Sequence, residues 1–183
     1  MRIIAGKFRG CPLRTVRDLS VRPTTDRAKQ TIFDILSTRI EFDGISVLDL
    51  FAGSGGLGLE AISRGAGSAV FVDSSRDVLN LLESNVRKLG CEAQCTLHPA
   101  DVFWYLKNTT RTFDLVFADP PYKLETIGTI PRAIYESGTT RNGTYVVMEH
   151  SKTSAIDLSE SMYEVIRKPF GQTTVLILKT LKA

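Results

Sequence analysis

Short apolar runs alternate along this chain with stretches in which apolar residues recur every three or four positions. Val47-Leu48-Asp49-Leu50, Ala69-Val70-Phe71-Val72 and Phe113-Asp114-Leu115-Val116-Phe117-Ala118 are too short for helices. They are rich in β-branched and aromatic residues, so they read as buried strands. Between them, Val78, Leu79, Leu82, Val86 and Leu89 fall on one face of a helix over residues 76–89, which Gly90 ends. Ala28, Ile32, Ile35, Leu36 and Ile40 mark an earlier amphipathic helix, running to about residue 40. Pro23 disfavours helix at Arg22, so Thr24 or Thr25 is the expected N-cap.

The same reading places strands over residues 45–50, 69–73, 93–97, 113–118 and 143–149, with helices over 57–64 and 124–136. Residues 163–168 and 173–179, joined through Pro169-Phe170-Gly171-Gln172, read as a closing hairpin. At the front, residues 2–5 and 11–16 read as two short strands around Gly6-Lys7-Phe8-Arg9-Gly10. An alternating β/α series that ends in a hairpin predicts an α/β doubly wound sheet with an antiparallel edge. The expected division is an N-terminal hairpin extension over residues 1–20 and one larger domain over 21–183.

Composition narrows the class. With 183 residues, 43% of them hydrophobic, the chain is long enough for a full core. It has no run of ~18 apolar residues that would span a membrane, and its first residues lack the apolar region of a signal peptide. Cys11, Cys91 and Cys95 form no C-x-x-C pair and His98 and His150 are the only histidines, so a reduced, cytoplasmic protein without a metal site is expected. The net charge of +3 conceals an asymmetry: residues 1–40 carry nine Lys or Arg against three Asp. A basic front on a mildly acidic body fits either a polyanion bound at one end or an ordinary solvated face.

The chemistry concentrates in Asp119-Pro120-Pro121-Tyr122, at the end of the fourth predicted strand. Two prolines stop the strand, since neither has an N–H to donate. A carboxylate, a bare carbonyl and an aromatic ring then stand together at the sheet edge where open α/β sheets bind ligands. They suit methylation of an exocyclic amine on a flat base. The Asp119 carboxylate and the Pro120 carbonyl would accept its N–H groups and localise its lone pair, and Tyr122 would stack on the extruded base. The alternative is a strand end that merely turns on Pro-Pro.

Asp49-Leu50-Phe51-Ala52-Gly53-Ser54-Gly55-Gly56-Leu57-Gly58 supports two readings. Gly53, Gly55 and Gly58 satisfy G-x-G-x-x-G, and Asp73 ends the next strand where a ribose-binding acid would lie, as in a dinucleotide-binding oxidoreductase. The same stretch also looks like the first motif of S-adenosylmethionine-dependent methyltransferases. Both use glycine to bring backbone close to a ligand. Asp101 is either an acid for the cofactor's adenine or a helix N-terminal Asp. Lys7, Phe8 and Arg9 at the hairpin tip could clamp a phosphate backbone and stack on a base, or Phe8 could pack onto the body. Arg22, Thr24, Thr25, Arg27 and Lys29, near a helix N-terminus, extend the candidate RNA-binding surface.

Val47–Gly55, Glu60-Ala61-Ile62-Ser63-Arg64-Gly65-Ala66 and Phe113–Tyr122, with Arg9-Gly10 and Arg22-Pro23-Thr24-Thr25-Asp26-Arg27, closely resemble the RsmD-like 16S rRNA (guanine-N2)-methyltransferases over nearly the whole chain. The resemblance implies a seven-stranded class I S-adenosylmethionine-dependent methyltransferase fold. It implies N2 methylation of guanine 966 of 16S rRNA within an assembled or partly assembled small ribosomal subunit. By position, Asp119, Pro120, Pro121 and Tyr122 form the catalytic motif. Gly53, Ser54 and Gly55 hold the methionine part of the cofactor, Asp73 its ribose, and Asp101 with Val102 its adenine, with Asp49 and Phe51 in the same set. Asp73 stands where the family usually has Glu, Ala118 where Leu is common, and Cys11 where a basic residue often follows Arg-Gly. The catalytic motif alone also fits an adenine-N6 methyltransferase, and a non-catalytic RNA-binding or assembly factor could keep the fold.

Overall fold

The computed structural model describes residues 1–15 and 26–182. The chain runs α1 (Asp26–Ser37), β1 (Ser46–Leu50), α2 (Gly58–Ser63), β2 (Ser68–Asp73), α3 (Arg76–Leu89), β3 (Cys95–Pro99), α4 (Val102–Asn108), β4 (Phe113–Ala118), α5 (Ile130–Glu136), β5 (Thr140–Ser151), β6 (Tyr163–Phe170) and β7 (Thr173–Thr180). The strands form one sheet in the order β3-β2-β1-β4-β5-β7-β6. β1 to β5 pair in parallel, whereas β7 is antiparallel to both β5 and β6. This is the seven-stranded sheet with an antiparallel edge that the sequence predicts.

Side-chain alternation divides the core between the two faces. Val47, Phe71, Leu115, Phe117 and Val147 meet α1, α2, α3 and the N-terminal segment on one side. Leu48, Leu50, Val70, Val116 and Val146 meet α4 and α5 on the other. β1 lies between β2 and β4, so the chain reverses direction across the sheet beside it. The crevice at the carboxyl ends of β1 and β4 is therefore the topological switch point, where sheets of this type bind ligands.

Several elements differ from expectation. The third strand is Cys95–Pro99, reached through a 3-10 turn at Glu92–Gln94; Pro99 is accommodated because β3 is an edge strand. The fifth strand is longer than predicted, Thr140–Ser151, and its register against β4 shifts between Phe113 and Leu115. The expected helix over 124–136 is confined to Ile130–Glu136 after a 3-10 turn at Ile127–Thr129. α1 ends at Ser37 rather than near residue 40, and its expected Thr24 or Thr25 cap lies outside the described residues.

Over the described residues the two N-terminal arms pair as a short hairpin: Ile3 donates to the Cys11 carbonyl at 3.0 Å, Gly10 to that of Ile3 at 2.9 Å and Leu13 to that of Met1 at 3.1 Å, with one bridge between Arg2 and Pro12. The segment also adheres to α2. Ile4 and Ala5 donate their N–H groups to the Glu60 carboxylate, at 2.7 and 3.0 Å, and Phe8 donates to Ser63 Oγ. Gly6, with φ +80°, runs so close to α2 that an added Cβ would lie 1.8 Å from the Ser63 carbonyl oxygen. Ile3, Phe8 and Leu13 belong to the same apolar core as α1, α2 and α3.

Candidate active site

The turn after β1 is held from below by two acids. Asp49 points to the α2 face of the sheet, 2% exposed, and its Oδ2 accepts the Gly58 N–H at 2.8 Å. Burial pushes its carboxyl well above the ordinary range; the Gly58 hydrogen bond opposes this, and the charges of Asp119 and Asp73 add to it. Asp73, at the end of β2, accepts the Gly53 N–H at 3.0 Å through Oδ2 and the Ser75 N–H at 2.9 Å through Oδ1. A carboxylate has about four lone-pair sites, so both oxygens keep capacity for a ligand hydroxyl.

The turn itself is strained. Phe51 has φ +56°, the one non-glycine residue in the left-handed region among those described, followed by Gly53 at +55° and Gly55 at +79°. A left-handed aromatic residue persists only where its surroundings enforce it. A Cβ on Gly55 would lie 2.3 Å from Leu82 Cδ1, so the turn packs tightly on α3 there. A Cβ on Gly53 would meet only the Phe51 carbonyl oxygen, at 3.9 Å, so the loop is open on that side. Asn85 Nδ2 ties the Ser54 carbonyl to that of Arg14, at 3.0 Å each, and so joins the loop to the N-terminal segment.

This geometry separates the two readings of the glycine motif. A dinucleotide would bring a pyrophosphate to the N-terminus of α2. That position is already filled by the Asp49 carboxyl, with Asp73 and Asp119 close enough to act on it. Asp73 and Asp119 beside an open glycine loop repel an anion and suit a ligand with a sulfonium and an ammonium group, while the buried Asp49 takes up an N–H that a pyrophosphate would need. The residues present therefore fit S-adenosylmethionine. Asp101, farther along, is the N-cap of α4: its Oδ1 accepts the Trp104 N–H at 2.9 Å. The Asp73 carbonyl accepts the Ala100 N–H, which brings Asp101 and the buried Val102 to the same sheet edge as Asp73.

Asp119 follows β4 directly, and its N–H reaches the Leu50 carbonyl at 3.5 Å, so the Asp-Pro-Pro-Tyr turn and the glycine turn lie side by side. Pro120 is buried, Pro121 and Tyr122 exposed. The Pro121 carbonyl accepts the Leu124 N–H at 2.9 Å and closes the turn. Tyr122 Oη donates to Oε1 of Glu149 at 3.0 Å. Tyr122 and Glu149 form the inner wall of an open cleft of about 420 Å³, whose other walls are Arg27, Ala28 and Thr31 of α1 and the β6–β7 turn at residues 169–173. Glu149 was not anticipated from the sequence. An acid near the carboxyl end of an apolar strand is the signal for it, but only the strand order, which sets β5 beside β4, brings it to the Asp-Pro-Pro-Tyr turn.

Two expected RNA contacts are corrected. Lys29 is 1% exposed: its Nζ lies 3.3 Å from Glu60 Oε2 and donates to the Arg2 carbonyl at 2.6 Å. It shares the inward face of α1 with Ile32, Phe33 and Leu36, so it is a buried structural cation. Phe8, expected as an exposed base-stacking ring, is 9% exposed and sits in the core under Lys7, whose Nζ lies 5.3 Å from the ring centre. Lys7, Arg9 and Arg27 are exposed. Arg22, Thr24 and Thr25 lie outside the described residues. Among the described residues no group of three His, Cys, Asp or Glu side chains could hold a metal, and no helix is long and apolar enough to cross a membrane.

Comparison with known proteins agrees with this architecture. The family model described as conserved hypothetical protein 95 matches residues 1–179. The Bacillus subtilis protein YlbH is 34% identical over 185 residues, covering 98% of each chain. Ribosomal RNA small subunit methyltransferase D of Haemophilus influenzae is 39% identical over 125 residues, covering 67% of this chain and 64% of its own. The solved structure of the Escherichia coli methyltransferase-like protein yhhF superposes with a TM-score of 0.87 at 26% identity, covering 98% of this chain and 97% of that one.

Proposed function

The chain belongs to the RsmD-like family of S-adenosylmethionine-dependent methyltransferases, and we propose that it methylates the exocyclic N2 amine of guanine 966 in 16S rRNA. The substrate is the small ribosomal subunit, assembled or partly so, and the setting is the cytoplasm. The observation that carries this reading is the pairing of the Asp119 N–H with the Leu50 carbonyl. It sets the amine-holding motif beside the glycine loop. The exposed Lys7, Arg9 and Arg27 supply cations on the RNA side.

When bound, S-adenosylmethionine supplies an electrophilic methyl group on a sulfonium. Gly53, Ser54 and Gly55 would cradle its methionine part, Asp73 its ribose hydroxyls, and Asp101 with Val102 its adenine. Asp49 acts from beneath, by fixing the start of α2. An aryl amine is a weak nucleophile because its lone pair is delocalised into the ring. Asp119 and the Pro120 carbonyl accept its two N–H groups and so draw the lone pair out of conjugation. Asp119 is also the group placed to hold the proton that the methylated nitrogen sheds. Tyr122, held at its hydroxyl by Glu149, offers its ring face to the extruded base. Orientation of two bound reactants supplies much of such a rate.

Deleting the gene for this chain tests the reading in the cell. The expected result is loss of one N2-methylguanosine from small-subunit rRNA, measured by nucleoside mass spectrometry. An unchanged content contradicts it.

A further inference from the structure

We propose that Glu149 reads the Watson–Crick edge of the target base and selects guanine over other amine-bearing purines by accepting its N1–H. The inference rests on guanine being the substrate base.

Three observations place Glu149 at that edge. β4 and β5 are parallel, with Ala118 opposite Met148, so the next residues, Asp119 just past β4 and Glu149 still within β5, lie at the same level of the sheet. Glu149 is only 8% exposed, yet it lines the same cleft as Tyr122. Its Oε1 accepts the Tyr122 hydroxyl at 3.0 Å, which fixes the carboxylate at the hydroxyl end of the ring on which the base would lie.

The acceptors in this corner match one base. The Watson–Crick edge of guanine presents N1–H beside the N2 amine, a row of donors. A row of acceptors, the carboxylates of Asp119 and Glu149 with the Pro120 carbonyl, complements it. Adenine presents a lone pair at N1, which would face the Glu149 carboxylate with no proton between them. Enzymes that act on an extruded base recognise it by hydrogen bonds to this edge, and sites built around such bonds reject analogues that leave a buried group unpaired. The Asp-Pro-Pro-Tyr motif holds an amine on any ring, so selection of the ring falls to a neighbour, and Glu149 is the neighbour in place.

The test uses small subunits rebuilt with guanine or 2-aminopurine at the methylated position. 2-Aminopurine keeps the N2 amine but carries a lone pair at N1. Transfer of a radiolabelled methyl group is measured for the wild-type protein and for Glu149→Gln, whose amide still accepts from Tyr122 and can also donate to N1. The wild-type protein should favour guanine in kcat/KM by at least about tenfold, the size expected for one lost hydrogen bond to a charged acceptor. Glu149→Gln should abolish most of that preference, with 2-aminopurine turnover rising. A residue that only steadies Tyr122 would leave the preference unchanged, and that result overturns the assignment while leaving guanine methylation intact. A wild-type preference near unity overturns it without any variant. Absence of label on guanine with the wild-type protein refutes the proposed function instead, and this inference with it.

Discussion

Nζ of Lys29 stands 3.3 Å from Oε2 of Glu60, with both side chains closed off from water. Glu60 also accepts Arg64 Nε at 2.9 Å and the N–H groups of Ile4 and Ala5, while Lys29 donates to the Arg2 carbonyl. One buried ion pair thus fastens the N-terminal segment, α1 and α2 to each other. Burial draws the Lys29 ammonium below its ordinary pKa, and the attraction of Glu60 opposes that shift.

Removing Lys29 leaves the buried Glu60 carboxylate dependent on Arg64 and on the Ile4 and Ala5 N–H groups. Lys29→Met is expected to cost about 3–5 kcal/mol, a fall in melting temperature of roughly 10 °C for a domain of this size. At a temperature where the variant remains folded, the salt dependence of RNA binding should match that of the wild-type protein. A shallower salt slope without loss of stability would return Lys29 to the RNA surface.

Arg9 and Arg27 should behave in the opposite way. Both are exposed, and Arg27 lines the cleft beside Tyr122. Each change to Ala should weaken binding to small-subunit rRNA, with a salt slope reduced by about 0.7–0.9 per lost phosphate contact. Melting temperature should hold. An unchanged slope removes that side chain from the interface.

Asp119→Ala removes the carboxylate that holds the amine and leaves the glycine loop intact. We expect kcat to fall at least about 1000-fold, as when a group acting directly on a transferred proton is lost. Calorimetric affinity for S-adenosylmethionine should stay within a few fold. Joint loss of cofactor binding would assign Asp119 to the cofactor site instead.

Asp49 makes a pH-dependent prediction. Its folded-state pKa is raised by burial, so the fold favours the neutral acid. The stability it contributes is complete below the unfolded carboxylate pKa and is lost as pH rises through the raised folded value. Asn has no such titration. The melting temperature of Asp49→Asn, relative to the wild-type cofactor-free protein, should therefore rise from acid to neutral pH. A constant difference across that range would contradict the buried-acid account.

The sheet and α3 were legible because their cues are local. Apolar runs bounded by glycine and proline mark the strands, and Gly90, at φ +66°, ends α3 in the left-handed cap its sequence predicts. Asp119 was legible because a proline pair ends β4 within its own turn. The spacing Lys29, Ile32, Phe33, Leu36 already puts Lys29 on the inward face of α1, but a lysine is assigned to solvent unless its buried counter-ion is known. That partner, Glu60, lies 31 positions away, on another helix. Phe8 likewise is at the tip of a turn in the sequence and in the core in space, because Gly6 lets the segment lie flat on α2. Glu149 lies near the end of β5 without any local motif. It joins the site only because β5 crosses to the far side of β4 from β1.

This chain is expected to transfer a methyl group to one guanine of the small subunit. The most direct measurement incubates the purified protein and radiolabelled S-adenosylmethionine with small subunits from cells that lack it, then identifies the labelled nucleoside by mass spectrometry. N2-methylguanosine at a single site is the predicted result. Label on adenosine, or no label while cofactor binding is confirmed by calorimetry, would contradict it.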